Sequence, residues 1–344
     1  MNKKISDDYN RQTGMQETAA IEKNIFNIKS EPDFNVVALE LFRFQYARND
    51  VYRRFVDELG VDVAAVKNYR RIPFLPIEFF KTHKVVCGDF EPEAVFRSSG
   101  TTGTTTSRHF VKSTRLYEQS LLRSFELFLG KPEEYIFLAL LPSYLERSGS
   151  SLIYMADLLI RFGDDENSGF YLHDYDKLAV VLTKLKKQQK KVILLGVTYA
   201  LLDLAEQFPL DFPDLILMET GGMKGKRREM VREELHAILQ SAFGVENIFS
   251  EYGMTELLSQ AYSKGRGVFF TPPWMKVLIR DINDPLNFLT EGKSGGINII
   301  DLSNIYSCSF IATQDLGRLH TPSDFEVLGR FDNSDVRGCN LLVG

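Results

Sequence analysis

The sequence predicts an α/β fold, with a mostly parallel sheet preceded by a helical N-terminal region and followed by a smaller β-rich subdomain. Short apolar runs alternate with amphipathic helical patterns from about residue 95. Residues 1–70 are polar with helical spacing, and after Phe269 short strands are separated by turns that carry Gly and Pro. At roughly 150 residues per domain, the 344 residues correspond to two or three units.

Two helices are predicted in the N-terminal region, because apolar side chains recur there at three- and four-residue spacing. The first helix carries Phe34, Val37, Leu41 and Phe44, and the second carries Tyr52, Phe55 and Leu59. The segment 71–76 then interrupts the pattern with two prolines, which lack an amide donor and bias the preceding residue away from helix. We interpret this segment as the beginning of the main domain.

The middle of the chain alternates predicted strands and helices. Buried strands are predicted at 136–141, 192–195 and 215–218, and helices at 151–162, at 199–207 and around Leu235 and Leu239. Short strands follow at 277–280, 297–300 and 309–312. The predicted division is a helical region over 1–95, an α/β core over 96–268 and a β-rich part over 269–344.

The charge balance argues against a general nucleic-acid-binding protein. The 41 Lys and Arg residues face 46 Asp and Glu residues, a net charge of −5, so no overall positive field attracts a phosphate backbone. Three widely spaced cysteines without a CxxC pair argue against a disulfide scaffold or a structural zinc site. The start does not resemble a secretory signal, and the longest mostly apolar stretch, 192–205, is too short to span a membrane. We therefore expect a cytoplasmic protein with no membrane span.

The segment 97–107 is a candidate phosphate-binding loop. It holds eight hydroxyl side chains and two glycines in eleven positions, a composition that a packed core does not favour. Hydroxyl groups and exposed amides can surround an anion, and glycine allows the backbone to approach it closely. The alternative is a flexible surface loop rich in Ser and Thr. The Walker A spacing is absent from the sequence, so this is not the loop of a P-loop NTPase.

Three later segments also carry polar chemistry. The segment 249–256 reads Phe-Ser-Glu-Tyr-Gly-Met-Thr-Glu and is expected at the end of a strand, where open α/β sheets bind their ligands. The segments 312–318 and 327–332 contain Asp315 and Arg330. Taken singly, each has a plain structural alternative, since Glu256 could cap a helix, Asp315 could close a turn and Tyr252 could belong to the core. The five histidines form no HxH or HExxH spacing, and His109 is a candidate pocket residue only because it follows the loop.

In this order, the four segments resemble the motifs of the adenylate-forming (ANL) superfamily of acyl-activating enzymes over roughly residues 96–340. Within that superfamily the sequence looks closest to the acyl-protein synthetases of the bacterial luciferase system, the LuxE family. Phenylacetate-CoA ligases are a more distant likeness. The closer resemblance is carried by the segments 72–81, 219–226 and 328–341.

The resemblance implies the fold of an adenylate-forming N-terminal domain, and it implies an ATP- and Mg²⁺-dependent ligase. A fatty acid, or another small carboxylic acid, would attack the α-phosphate of ATP to give an acyl-adenylate and pyrophosphate, and the acyl group would then pass to a thiol. Because both reactants of the first step are anions, such a site must neutralise charge and hold them in line. An acyl reductase or an acyltransferase is the implied protein partner.

Carried onto matching positions, the resemblance assigns a role to each motif. Thr255 would contact the α-phosphate, Glu256 would hold Mg²⁺, and Tyr252 would lie near the adenine. Asp315 would bind the ribose hydroxyls, with Arg330 close by. The remaining cofactor-binding positions are Ser98, Ser99, Gly100, Thr101, Thr102, Gly103 and Thr104 for the phosphates, and Gly221 and Gly222 for the base.

The resemblance also makes Cys339 the candidate acceptor of the acyl group, because acyl-protein synthetases carry it on a cysteine in their C-terminal part. A thiol is already partly ionised near pH 7 and attacks an activated carbonyl readily. The structural alternative is a small buried hydrophobic residue. Larger relatives continue well past the Gly329-Arg330 hinge with a domain that supplies a catalytic lysine, and we expect that domain to be absent here. Two other functions therefore stay open, an acyl-CoA ligase and a non-catalytic subunit that binds acyl groups or nucleotides.

Overall fold

The computed structural model describes residue 18 and residues 20–98, 105–141, 149–221 and 230–331. The predicted α/β class is confirmed, because twelve strands form one large sheet with helices packed against it. Two further strands form a separate antiparallel ribbon. Within these ranges, no helix is both long enough and apolar enough to cross a membrane.

The helices and strands have the following bounds. The helices are α1 (Glu31–Arg48), α2 (Asp50–Glu58), α3 (Phe79–Thr82), α4 (Thr114–Leu129), α5 (Ser151–Gly163), α6 (Tyr175–Lys187), α7 (Thr198–Gln207) and α8 (Arg232–Phe243). The strands are β1 (Leu75–Pro76), β2 (Ala94–Arg97), β3 (Arg108–Val111), β4 (Ile136–Leu140), β5 (Gly169–Phe170), β6 (Val192–Val197), β7 (Ile216–Thr220), β8 (Phe249–Tyr252), β9 (Ala261–Ser263), β10 (Val268–Phe270), β11 (Met275–Arg280), β12 (Ser294–Asp301), β13 (Phe310–Thr321) and β14 (Asp324–Arg330). Single 3₁₀ turns lie at Tyr69–Arg71 and Pro132–Glu134.

One half of the large sheet is parallel, in the order β5-β4-β6-β7-β8. Strands β4 and β6 are buried along their whole length, as expected of parallel strands covered by helices on both faces. Their continuous apolar sequence, without alternation, is therefore the pattern that predicted them. A connection from a parallel strand to its neighbour needs a crossover, and α5, α6, α7 and α8 lie between these strands in the chain.

The other half of the sheet is antiparallel and continues from β8 through β9, β10, β14, β13 and β12 to β11. The two halves therefore share one sheet, with β8 pairing in parallel to β7 and antiparallel to β9. Strand β13 is the longest, and it also pairs in parallel with the short β1 near the N-terminal region. This pairing places the proline segment 71–76 against the β-rich part.

The N-terminal helices pack on the antiparallel half of the sheet. The predicted α1 is confirmed, and Ser30 caps it by accepting from the backbone N–H of Asp33. The predicted second helix is also present, but Leu59 lies past its end and is 38% exposed, whereas Val56 is fully buried. Val56 and Leu59 are three residues apart, which is a helical spacing. However, α2 ends at Glu58, so Leu59 does not continue the buried face of this helix.

Candidate functional site

Five of the residues singled out in the sequence lie at the carboxyl end of the parallel strand β8 and on strands β13 and β14 of the antiparallel half. Tyr252 is the last residue of β8, and Thr255 and Glu256 follow it in a loop. Asp315 and Arg330 are paired opposite each other on β13 and β14. Ligands of open α/β sheets bind at this end, so the placement suits a binding site.

Tyr252, Asp315 and Arg330 form one cluster. The Tyr252 hydroxyl donates to Asp315 Oδ2 at 2.8 Å, and Arg330 Nε lies 3.3 Å from Asp315 Oδ1. The Tyr252 ring is buried between Phe269 and Phe325, so its body belongs to the core while its hydroxyl orients the carboxylate. Burial raises the pKa of Tyr252 far above its ordinary value, which keeps the phenol a donor.

Glu256 is a buried carboxylate close to this cluster. It is only 4% exposed, and burial raises its pKa despite a hydrogen bond from Ser107 and the positive charges of Arg330 and Lys81. Its backbone carbonyl accepts from Asn304 Nδ2 at 2.8 Å. The carboxylate therefore lies in a cation-rich setting but is not fully neutralised by the groups around it.

The base of the hydroxyl-rich loop is close to Glu256. Ser98 and Ser107 close it, because Ser107 N–H donates to Ser98 Oγ at 2.9 Å and Ser98 N–H donates to the Ser107 carbonyl at 3.2 Å. Ser107 is also the residue that hydrogen-bonds Glu256. The loop and the Thr255-Glu256 segment, which are separated by about 150 residues in the chain, are thus adjacent in space.

Gly221 follows β7 with a φ of 68°, a conformation that glycine adopts without strain. Its carbonyl accepts from the Thr198 hydroxyl at 3.0 Å. The remaining predicted site positions, which are Ser99, Gly100, Thr101, Thr102, Gly103, Thr104, Gly222 and Cys339, lie outside the described residues.

Two buried glutamates below this edge of the sheet were not singled out from the sequence. Glu219 on β7 accepts from Ser250 Oγ at 2.8 Å and lies 3.7 Å from His236 Nε2. Burial opposes ionisation of Glu219, but His236, Ser250 and the charge of Arg232 together lower its pKa. A glutamate inside a buried strand of apolar residues is the sequence signal that marks such a position.

Glu251 on β8 behaves in the opposite way. Burial and the charge of Glu219 raise the pKa of Glu251 to about 7, against a hydrogen bond from the Thr220 hydroxyl. A Cβ at Gly253 would lie 2.4 Å from Glu251 Oε1, so any larger residue there would displace the Glu251 carboxyl group. The glycine of the Tyr-Gly-Met-Thr-Glu segment therefore makes room for a buried carboxyl group.

His109, Asp301 and Asn304 are further polar residues that the motifs do not indicate. All three are buried, and they contact the segment that contains Thr255 and Glu256. Asn304 lies in a turn almost 50 residues after Glu256, and no local pattern in the sequence marks it. His109 points inward from β3 while its neighbour Arg108 is less buried, so period-two alternation is a second sequence signal beside its position after the loop.

No family model matches the chain. The sequence is 24% identical over 331 aligned residues to a long-chain-fatty-acid–luciferin-component ligase from Vibrio harveyi, an alignment that covers 88% of this chain and 85% of that protein.

Two solved structures share the fold at low sequence identity. ATP-bound MatB from Rhodopseudomonas palustris matches with a TM-score of 0.52 and 16% identity over 69% of this chain, and the chain spans about half of MatB (48%). An open conformation of 2-hydroxyisobutyryl-CoA ligase, in complex with 2-HIB-AMP and CoA, matches with a TM-score of 0.63 and 13% identity, covering 89% of this chain and 72% of that one. The predicted fold and the predicted resemblance to acyl-activating ligases are thus confirmed.

Proposed function

We propose that this chain is an ATP-dependent acyl-activating ligase of the acyl-protein synthetase type. A fatty acid carboxylate attacks the α-phosphate of ATP, the bond to the pyrophosphate leaving group breaks, and an acyl-adenylate forms. A cysteine thiolate then attacks the acyl carbonyl and releases AMP. The observation that carries the proposal is the convergence of the Tyr252–Asp315–Arg330 cluster, Glu256 and the base of the hydroxyl-rich loop at one edge of the sheet.

Each group suits one part of ATP. Asp315 has two carboxylate oxygens, held between the Tyr252 hydroxyl and the exposed Arg330, and carboxylate acceptors suit the hydroxyl groups of ribose. Thr255 offers a hydroxyl toward the α-phosphate. Tyr252, Gly221 and Gly222 would border the adenine. Ser98 to Thr104 would surround the β- and γ-phosphates with hydroxyl groups and amides.

Glu256 fits a magnesium ion that is shared with the nucleotide. Burial disfavours its negative charge, and a divalent cation beside the carboxylate would offset that cost. In the described part of the chain, no cluster of three His, Cys, Asp or Glu side chains offers a complete cage. Such a site suits Mg²⁺, which commonly takes one or two carboxylates and completes its shell with water and substrate phosphates.

The Vibrio harveyi relative is named for a long-chain fatty acid, which supports a fatty acid as the substrate. We further propose Cys339 as the residue that receives the acyl group. Cys87 and Cys308 are poor candidates, because both are buried and burial raises the pKa of Cys308 to about 12 and that of Cys87 well above its usual range. A partner acyl reductase or acyltransferase in the cytoplasm would then take the acyl group from Cys339.

Exchange of labelled pyrophosphate into ATP tests the first step, with a panel of acids of different chain length. We expect exchange that requires both Mg²⁺ and an acid and that is fastest with a long-chain fatty acid. Nucleotide binding without exchange for any acid would instead support a non-catalytic subunit.

Trapping the thioester tests the second step. With labelled fatty acid, ATP and Mg²⁺, we expect a hydroxylamine-sensitive label on the wild-type protein and on Cys87→Ser and Cys308→Ser, but not on Cys339→Ser. If Cys339→Ser keeps the label, or if label appears only on added CoA, the acyl acceptor proposed here is wrong. The second result would favour the acyl-CoA ligase alternative, whose chemistry the 2-hydroxyisobutyryl-CoA ligase name also describes.

A further inference from the structure

Thr255 and Glu256 lie in a segment, Met254 to Ser259, that is neither helix nor strand. Its own turn contains one backbone hydrogen bond, from Leu257 N–H to the Met254 carbonyl. Side chains from distant parts of the chain hold the rest, with Asp301 Oδ2 accepting from the N–H groups of Leu258 and Ser259. The position of Thr255 and Glu256 therefore depends on tertiary contacts.

The hydroxyl-rich loop is carried by a different structural unit. It connects β2 and β3, and this two-stranded ribbon has no ladder pairing with the large sheet among the described residues. Thr255 and Glu256, in contrast, follow β8 of the large sheet. Ladder hydrogen bonds thus do not fix the distance between the loop and the Thr255-Glu256 segment, and side chains must do so.

His109 on β3 makes this connection. Its Nδ1 lies 2.9 Å from the Thr255 carbonyl oxygen, and its Nε2 lies 3.0 Å from Asn304 Oδ1. The ring is 1% exposed, and the edge of Phe80 packs against it. His109 comes two residues after Ser107, which itself hydrogen-bonds Glu256.

The Asn304 amide completes the arrangement. Its Nδ2 donates to the carbonyls of Glu256 and Cys308 at 2.8 and 2.9 Å, so hydrogen-bond matching turns its Oδ1 toward His109. Both ring nitrogens of His109 therefore face acceptors. Burial lowers the pKa of His109 and favours the neutral ring, which has a single N–H. To hold Thr255, the neutral ring must carry its proton on Nδ1.

We propose that His109 is a positioning residue whose Nδ1–H on the Thr255 carbonyl, together with the Asn304 amide on the Glu256 carbonyl, holds Thr255 and Glu256 at the working distance from Ser98 and Ser107 at the base of the phosphate-binding loop. The inference rests on the proposed function, since it concerns the alignment of the same site. His109 does not contact the reacting atoms, and it acts through the backbone carbonyl of Thr255. Misplacement of reacting groups by about 1 Å can cost on the order of 100-fold in rate, so such a contact can control the chemical step.

Three substitutions separate this role from simple packing. Asn has the same number of bonds from Cα to its amide nitrogen as His has to Nδ1, whereas Gln matches Nε2. We expect His109→Asn to keep pyrophosphate exchange within about threefold of wild type, and His109→Gln and His109→Ala to lose about tenfold or more in kcat with little change in the KM for ATP. Asn35→Ala is the matched control, because it loses two hydrogen bonds, to the Lys67 carbonyl and from Tyr69 N–H, away from the site.

Hydrogen exchange of the peptide 254–260 gives a readout that does not depend on activity. We expect faster exchange there in His109→Ala than in Asn35→Ala at equal global stability, with His109→Asn resembling wild type. If wild type shows no acid-dependent pyrophosphate exchange, the proposed function fails, and hydrogen exchange alone decides the role of His109. The positioning role is overturned if 254–260 is equally protected in all variants, or if kcat follows melting temperature without rescue by Asn.

Discussion

Glu251 and Glu219 show how two neighbouring carboxyl groups acquire opposite properties. Register pairs Glu251 with Thr220 and Ser250 with Glu219 across β7 and β8, so both carboxyls lie at the same end of the sheet. Glu219 has hydroxyl and cationic neighbours, whereas Glu251 has one hydroxyl and the charge of Glu219. The charge of Glu219 adds to the effect of burial on Glu251, so Glu251 keeps its proton to a higher pH than Glu219 does.

The raised pKa of Glu251 predicts a pH dependence of stability. The pKa of Glu251 is about 7 in the folded state against an ordinary 4.5, so the folded state binds the proton more tightly between these values. The free energy of unfolding should fall as pH rises from 5 to 8, by on the order of 3 kcal/mol from this group. Glu251→Gln should remove that part of the slope and should be more stable than wild type above pH 7.

Urea unfolding at pH 5, 6, 7 and 8 measures this effect. Glu133→Gln is a suitable control, because Glu133 is exposed and its substitution should leave the wild-type slope intact. A Glu251→Gln curve that runs parallel to wild type across this range would show that Glu251 is ionised throughout.

Glu256→Gln addresses chemistry at the residue scale. Gln keeps the size of the side chain but cannot neutralise a divalent cation, so we expect pyrophosphate exchange to fall about 100-fold while the melting temperature changes little. The exposed Glu246→Gln should change neither quantity. Loss of stability with normal exchange would mean that Glu256 serves the fold.

The sequence indicates these site residues unequally. Tyr252, Asp315 and Arg330 lie in recognisable segments, and their order along the chain predicts that they share a site. His109 and Asn304 are 195 positions apart and act through a backbone carbonyl, which any residue provides. A local sequence pattern cannot reveal the contact between His109 and Asn304, because neither residue requires a particular residue next to it in the sequence.

At the scale of elements, the end of β12 determines the shape of the segment after β8. Asp301 is fully buried and accepts from the N–H groups of Leu258, Ser259 and Ser303 and from the hydroxyls of Ser259 and Ser303. A buried carboxylate is retained only where donors satisfy it in this way. The β-rich half thereby supports the site at the end of the parallel half.

Asp301→Asn should therefore be strongly destabilising. The NH₂ group of the asparagine would face at least one of the N–H or O–H groups that donate to Asp301, and that donor would lose its acceptor. We therefore expect a loss of about 3 kcal/mol in the free energy of unfolding. Asp157→Asn breaks an exposed pair with Arg161 and should cost at most about 0.5 kcal/mol. Urea denaturation of both variants tests the comparison, and equal midpoints would contradict the role given to Asp301.

The helices and strands predicted most accurately from the sequence are those with many buried apolar side chains. Strands β4 and β6 and helix α5 have strong apolar patterns and appear within about two residues of the predicted bounds, and α1 contains all four residues predicted for it. Strand β8 extends through Tyr252, so the Tyr-Gly-Met-Thr-Glu segment begins inside the strand. The polar residues Ser250 and Glu251 are part of this strand because β7 and β9 pair with them on either side.

At the scale of the whole molecule, two apolar cores meet along one sheet. The first core lies around the parallel strands, and the second joins the N-terminal helices to the antiparallel strands. Residues near the two ends of the chain therefore share a core, a long-range pairing that periodicity does not express. Strand β8 connects the halves, because it pairs with β7 on one side and β9 on the other.

Gln45 on α1 is one of the polar residues that join the N-terminal helices to the β-rich half. Its side chain is fully buried, with Nε2 within 3.0 Å of the Asn304 and Ile305 carbonyl oxygens and of Ser309 Oγ, and its Oε1 accepts from Ser309 N–H. The contact spans about 260 residues of sequence. It also fixes the turn that presents Asn304 to Glu256, so it links the N-terminal region to the candidate site.

Gln45→Leu tests whether the two cores unfold together. Leu has a similar volume but leaves buried backbone groups of the turn without partners, so we expect a loss of about 3–5 kcal/mol in the free energy of unfolding. Trp274, the single tryptophan, lies in the second core beside Phe26, so its fluorescence reports on that core, while far-UV circular dichroism also reports on the helices of the first. Because the sheet is continuous through β8, both signals should shift to lower urea by the same amount. Val36→Ala, at an exposed position of α1, is the control and should leave both transitions unchanged. A shift of the fluorescence transition alone in Gln45→Leu would show instead that the parallel half is stable without the N-terminal helices.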